Sequence, residues 1–146
     1  MSTDSIQNVL YGERYIMKFD LIQFLKTKPT IAVVGATNDS RKYGNIIMKD
    51  LISRGFTALP VNPRATTVEG IRAYPDLERA NSHLRTDLIV YVVPPAITLE
   101  SLKEAEKLNI KNVWVQPGAG DESVKVYLER ENFNYLMNAC VMMEAL

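Results

Sequence analysis

The chain has 146 residues with 17 basic and 17 acidic side chains, a formal net charge of zero. That length fits one domain able to bury a core, and 47% apolar with 23% charged residues is ordinary globular composition. A neutral chain has no general pull on nucleic acid or acidic membrane surfaces, so an anionic ligand must be held by local basic residues. The single cysteine, Cys140, excludes an internal disulfide and fits a reducing cytoplasm. Met1 to Leu10 lacks the basic start and apolar run of a signal peptide. No stretch approaches the roughly 18 apolar residues of a membrane helix. The expectation is a soluble cytoplasmic protein with no nucleic-acid or membrane partner.

Residues 1–28 are expected to form a helical arm, and residues 29–146 the domain. In the arm, Ile6, Val9 and Leu10 share one face of a short predicted helix. Leu21, Ile22 and Leu25 repeat that pattern after Asp20, an N-cap residue, and Pro29 stops the helix. The arm is read as packed on the domain, with a homo-oligomer or protein-partner contact as the alternative. Thr30 to Gly35 is a continuous apolar run ending in glycine, a strand buried on both faces. Gly44 to Arg54 carries Ile47, Met48, Leu51 and Ile52 at helical spacing, with Gly55 after it as a C-cap. Phe56 to Val61 reads as the second strand, and Gly70 to Tyr74 as a short edge strand. A brief helix follows Asp76.

Asp87 to Val93 is a central strand, broken by Pro94-Pro95. Thr98 is expected to cap a helix with Leu99, Leu102, Ala105 and Leu108 on one face. Val113 to Val115 is a short strand with Trp114 in the core. Gln116 to Gly120 is a turn, and Asp121 caps a helix with Val124, Tyr127 and Leu128. A last strand lies near Asn134 to Met137. Alternating buried strands and helices predict an α/β fold, a mainly parallel, doubly wound sheet with helices on both faces.

In such sheets ligands sit beyond the carboxyl ends of the strands, where the strand order reverses. The relevant loops follow Gly35, Val61, Val93 and Val115. The first runs from Gly35 through Ala36, Thr37, Ser40, Arg41, Lys42 and Tyr43 to Gly44. Gly35 allows close backbone approach, and the helix opened by Gly44 offers free N–H groups and partial positive charge to a phosphate. Thr37 and Ser40 add hydroxyls, while Arg41 and Lys42 can pair with phosphate oxygens. The same residues also suit a plain strand-to-helix turn. The spacing is neither G-x-G-x-x-G nor G-x-x-x-x-G-K-[ST]. The second strand ends in Asn62-Pro63-Arg64, without the carboxylate that holds the NAD ribose. Arg64 favours a phosphorylated ribose, which leaves NADP or coenzyme A. Val93, Pro94 and Pro95 form a stiff apolar wall suited to adenine or a pantetheine arm, or simply a sharp turn.

In this order, Ile31 to Thr37, Gly55-Phe56 leading to Pro60-Val61-Asn62-Pro63, Gly70 before Tyr74-Pro75, Asp87 to Pro95, Trp114 to Gly118, and Cys140 with Glu144 resemble the small stand-alone CoA-binding proteins. Their Rossmann-like fold is similar to the CoA-binding domain of the succinyl-CoA synthetase alpha subunit. The resemblance covers roughly Pro29 to Glu144. It implies coenzyme A across the carboxyl edge of the sheet. Gly35, Ala36 and Thr37 would face the phosphates, with Arg41, Lys42 and Tyr43 closing on the nucleotide. Asn62, Pro63 and Arg64 would border the adenosine and its 3′-phosphate. Val93, Pro94 and Pro95 would meet adenine or pantetheine, and Gln116 and Gly118 would lie further along. Many relatives carry a histidine where Ala145 follows Glu144 here.

No catalytic set stands out. The only histidine, His83, reads as a surface-loop residue. There is no Cys/His metal cluster and no G-x-S-x-G elbow. Cys140 is read as a small buried apolar residue, against the alternative of a mixed disulfide with CoA. The expected function is therefore binding of coenzyme A or an acyl-CoA by a non-catalytic, carrier or regulatory module. The alternatives are an NADP-dependent oxidoreductase and a protein-interaction module with a vestigial nucleotide site.

Overall fold

A computed structural model describes residues 6–11 and 14–144, with side chains from Asp20 onward. Ala145 lies outside the described residues. Strands β1 (Ile6–Tyr11) and β2 (Arg14–Phe19) pair antiparallel, with Ile6 opposite Phe19 and Tyr11 opposite Arg14. The expected helix around Ile6, Val9 and Leu10 is therefore a hairpin strand. The two runs are rich in Ile, Val, Tyr and Phe, which favour strands, and such short apolar segments fit either period. Helix α1 (Leu21–Leu25) does form. Asp20 caps it by accepting from the N–H groups of Ile22 and Gln23, and Leu21 and Leu25 are buried.

The domain alternates strand and helix. Strand β3 (Ile31–Val34), helix α2 (Tyr43–Ser53) and strand β4 (Ala58–Val61) come first. Strands β5 (Thr67–Val68) and β6 (Ile71–Arg72) form a separate antiparallel hairpin. Glu69 and Gly70 between them both have positive φ, as a two-residue hairpin turn requires. The edge strand expected over Gly70 to Tyr74 is thus mostly this hairpin. Only Tyr74 joins the main sheet, bridging Val61. Helix α3 (Leu77–His83) follows, capped by Asp76. His83 ends this helix rather than lying in a loop, and its exposed ring sits 5.3 Å from that of Tyr74.

Strand β7 (Leu88–Tyr91), helix α4 (Pro95–Lys107), strand β8 (Asn112–Val115), helix α5 (Glu122–Arg130), strand β9 (Asn134–Met137) and helix α6 (Val141–Glu144) complete the order. Thr98 does not cap α4. Pro94 is the N-cap and Pro95 the first helical residue, where a fixed φ and a missing N–H suit the helix start. Thr98 is buried one turn in, with its hydroxyl 3.4 Å from the carbonyls of Val93 and Pro94.

The main sheet has five parallel strands in the order β4-β3-β7-β8-β9. Each strand sends alternate residues to opposite cores. Ala32, Val34, Ile89, Tyr91, Val113 and Val115 pack with Leu77, Leu102, Val124 and Leu128 of α3, α4 and α5. Ile31, Val33, Leu88, Val90 and Trp114 pack with Leu25, Ile47, Met48, Leu51 and Val141 of α1, α2 and α6. The fold is a doubly wound, Rossmann-like α/β sheet. The chain moves outward to β4 and then back past β3 to β7, so the order reverses between β3 and β7. That reversal opens a crevice at the carboxyl ends of these two strands.

Candidate functional site

A cleft of about 620 Å³ lies at that reversal. Its floor is made by two glycines. Gly35 leaves β3 at φ +107°, and a Cβ there would overlap the Val92 carbonyl oxygen and lie 2.9 Å from Val93 Cγ1. A Cβ on Gly44 would overlap the Gly35 carbonyl oxygen. The two glycines let the β3 loop, the start of α2 and the β7 loop close on one another.

The loop between them is ordered by its own side chains. Thr37 Oγ1 accepts from the Asp39 N–H at 3.1 Å, and Asp39 Oδ1 accepts from the Arg41 N–H at 3.0 Å. The Asp39 carboxylate also takes both Nε and Nη2 of Arg41, each at 2.9 Å. That fork of hydrogen bonds, then the Arg41 backbone N–H, holds the Asp39 pKa down to about 2, and the Arg41 pKa is raised in turn. A carboxylate with a depressed pKa keeps its partner above the unfolded value and loses it only as pH falls through the folded one. Near neutral pH both groups are charged, and the Arg41 guanidinium is paired with Asp39 at the surface. Lys42 is different. It is exposed, it is the N-cap of α2 without a side-chain cap bond, and it has no ion pair among the described residues.

The other lining comes from the next three strand ends. Val93, Pro94 and Pro95 form the apolar wall after β7. Pro117, Gly118 and Ala119 follow β8, and Cys140 follows β9. Along the sheet edge the cleft runs from the basic residues after β3 to the thiol after β9. At the usual strand spacing that is roughly 14 Å.

Comparison with known proteins assigns this architecture. A family model described as a CoA binding domain matches residues 29–145. The chain belongs to this CoA binding domain family. The alpha subunit of the ADP-forming acetate–CoA ligase II of Pyrococcus furiosus is 34% identical over 86 residues, 58% of this chain and 18% of that one. The ADP-forming acetate–CoA ligase I of Archaeoglobus fulgidus is 32% identical over 105 residues, 69% of this chain and 15% of the relative. The chain thus spans less than a fifth of the length of these curated relatives. A conserved hypothetical protein from Pyrococcus furiosus superposes with a TM-score of 0.76 at 42% identity, covering 80% of this chain and 98% of that one. A hypothetical protein from Pyrococcus horikoshii OT3 gives 0.77 at 28% identity, with 84% of each chain covered. The family match starts at residue 29, after β1, β2 and α1.

Within this CoA binding domain, the cleft lining includes Gly35, Arg41, Lys42, Tyr43, Gly44, Val93, Pro94, Pro95, Gln116 and Gly118 from the sequence-predicted set. Ala36, Thr37, Ser40, Asn62, Pro63 and Arg64 are not in the lining. Ala36 is fully buried in the core, and its carbonyl accepts from Asn62 Nδ2 at 2.9 Å. Asn62 Oδ1 accepts from the N–H groups of Arg64 and Ala65, so its side chain builds the turn after β4. Ser40, Pro63 and Arg64 are exposed. With β4 on the far side of β3, Arg64 stands beyond the basic end of the cleft.

Gln116 is 4% exposed and both ends of its amide are engaged. Its Oε1 accepts from the Val141 N–H at 2.8 Å, and its Nε2 lies 3.5 Å from Cys140 Sγ. Trp114 Nε1 donates to the Ala139 carbonyl at 2.7 Å. Together they hold the β9–α6 turn, and Cys140 is half-buried against the cleft rather than sealed in the core. The sequence pattern around Cys140 is apolar, and nothing local reports that two distant side chains turn it toward the cleft.

Proposed function

We propose that the chain binds coenzyme A, or an acyl-CoA, along this cleft as a binding, carrier or regulatory module. The observation that carries the reading is the graded cleft at the β3/β7 reversal in a member of the CoA binding domain family. One end has Lys42, Arg41 and the uncapped start of α2, which suit phosphates. The rest is walled by valine, proline and alanine, which suit the largely apolar pantetheine arm. Titration calorimetry with CoA, repeated with NADP present, tests it. Micromolar or tighter CoA binding that NADP does not displace supports the reading. A folded protein with no heat on CoA addition removes it, and displacement by NADP transfers the site to a dinucleotide.

Two outcomes follow from the charges around the cleft. Asp39→Asn keeps the oxygen that accepts from the Arg41 N–H but dissolves the ion pair. The released guanidinium is expected to raise CoA affinity severalfold, with a steeper loss of affinity as salt is added. Unchanged affinity would show that Arg41 is too exposed to reach the ligand. Arg64 lies on the β4 side, where the 3′-phosphate would sit. Arg64→Ala is expected to weaken CoA binding about tenfold and to leave dephospho-CoA binding unchanged. Equal losses for both ligands would retire that role for Arg64.

A further inference from the structure

Asn45 is fully buried in the first turn of α2. Its Nδ2 donates to the Thr37 carbonyl at 2.9 Å and to Glu69 Oε2 at 2.7 Å. Its Oδ1 is buried with no partner. Both contacts of Nδ2 are acceptors, so the amide must face this way, and it accepts an orphaned oxygen in order to donate twice. Glu69 stands at the tip of the β5–β6 hairpin at φ +50°, beside Gly70 at φ +79°. Turns of this kind favour Asn, Asp or Gly at both central positions. A glutamate there breaks the local rule, and its reach to Asn45 supplies the compensating contact. A second pair of bonds ties the same elements. Asn38 Nδ2 donates to the Thr67 carbonyl at 2.8 Å, and the Glu69 N–H donates to Asn38 Oδ1 at 3.0 Å.

We propose that Glu69 is a positioning residue: through the buried Asn45 amide it latches the β5–β6 hairpin onto loop 36–42 and sets that loop's conformation for the CoA phosphates. The proposal rests on the CoA reading of the cleft. Its action is indirect, because Glu69 is not in the cleft lining and an anionic side chain has no attraction for a phosphate. The hairpin, which carries no other part of the site, thereby becomes part of the binding apparatus.

The test compares the full chain with Glu69→Asn and Glu69→Gln, by calorimetry with CoA and by amide hydrogen exchange of the ligand-free proteins. Asparagine suits the turn but is too short for Asn45. It is expected to leave the unfolding midpoint near the parent's, the better turn residue offsetting the lost bond, to speed exchange in residues 38–42, and to weaken CoA binding about tenfold. Glutamine keeps an acceptor oxygen at full reach and is expected to stay within about threefold of the parent in affinity. Parent-like affinity in Glu69→Asn, with the parent binding CoA, overturns the latch and leaves the CoA reading standing. A flat titration for the parent itself overturns the CoA reading and this role with it. Should Glu69→Asn fail to fold, Glu69→Gly also suits the positive φ but has no side chain to reach Asn45, and it is expected to produce the same loss. Parent-like affinity there also overturns the latch.

Discussion

Gly44→Ala is expected to destabilise the fold by about 3 kcal/mol and to abolish measurable CoA binding. The new Cβ would overlap the Gly35 carbonyl oxygen, which belongs to the backbone and cannot rotate aside. Relief requires the start of α2 to move away from the β3 loop, and that movement opens the floor of the cleft. Gly118→Ala is the informative control. Gly118 also lines the cleft and has φ +88°, but a Cβ there meets nothing within 4 Å. It carries only the left-handed backbone penalty of about 1–2 kcal/mol. Urea unfolding separates them: the midpoint should fall well further for Gly44→Ala at an unchanged slope. Equal midpoints would mean that the close approach of the two loops is dispensable.

Lys42→Ala is expected to weaken CoA binding roughly ten- to a hundredfold, from the loss of a charge-assisted bond of about 1.5–3 kcal/mol. The unfolding midpoint should not move, because Lys42 makes no side-chain cap bond and no ion pair among the described residues. Arg41→Ala is expected to do less, since Asp39 already occupies its guanidinium. The ranking separates two adjacent cations that look equivalent in the sequence. Calorimetry at two salt concentrations checks it, with Lys42→Ala reducing the salt dependence more. A larger loss in Arg41→Ala would show that the ligand displaces Asp39 and takes Arg41 as its main phosphate partner.

The architecture was legible where a local pattern has one physical meaning. Ile31 to Val34 and Leu88 to Tyr91 are unbroken apolar runs bounded by Gly35 and by Pro94-Pro95, and a strand covered on both faces buries every one of those side chains. Asp20, Asp76 and Asp121 sit where helices begin, and each caps through its own carboxylate. The order of strands and helices implies a doubly wound sheet, and that topology directs attention to the carboxyl-edge loops. The segment before Asp20 was not legible in this way. Short runs of Ile, Val, Leu and Tyr satisfy a strand or a helix equally, and the strands formed through cross-strand pairing that no single run contains. Thr98 was misplaced for a related reason: it is a good cap residue, but Pro95 suits the first helical position and starts the helix earlier, with Pro94 as the N-cap and Thr98 already inside the first turn.

The sequence alone determined the class of fold, three of the loops that line the cleft (those after Gly35, Val93 and Val115), and the absence of a carboxylate at the end of the second strand. These are local properties, written in runs of a few residues. The tertiary structure decided which loop residues face the cleft and which build its frame. It turned Asn62 and Gln116 into braces, occupied Arg41 with Asp39, brought Cys140 to the cleft wall, and gave Glu69 a partner in Asn45. Those assignments depend on contacts between residues far apart in the chain, such as Gln116 with Val141 and Asn45 with Glu69. Side-chain chemistry says what each group can donate or accept, but only the packed fold determines which partner stands within reach.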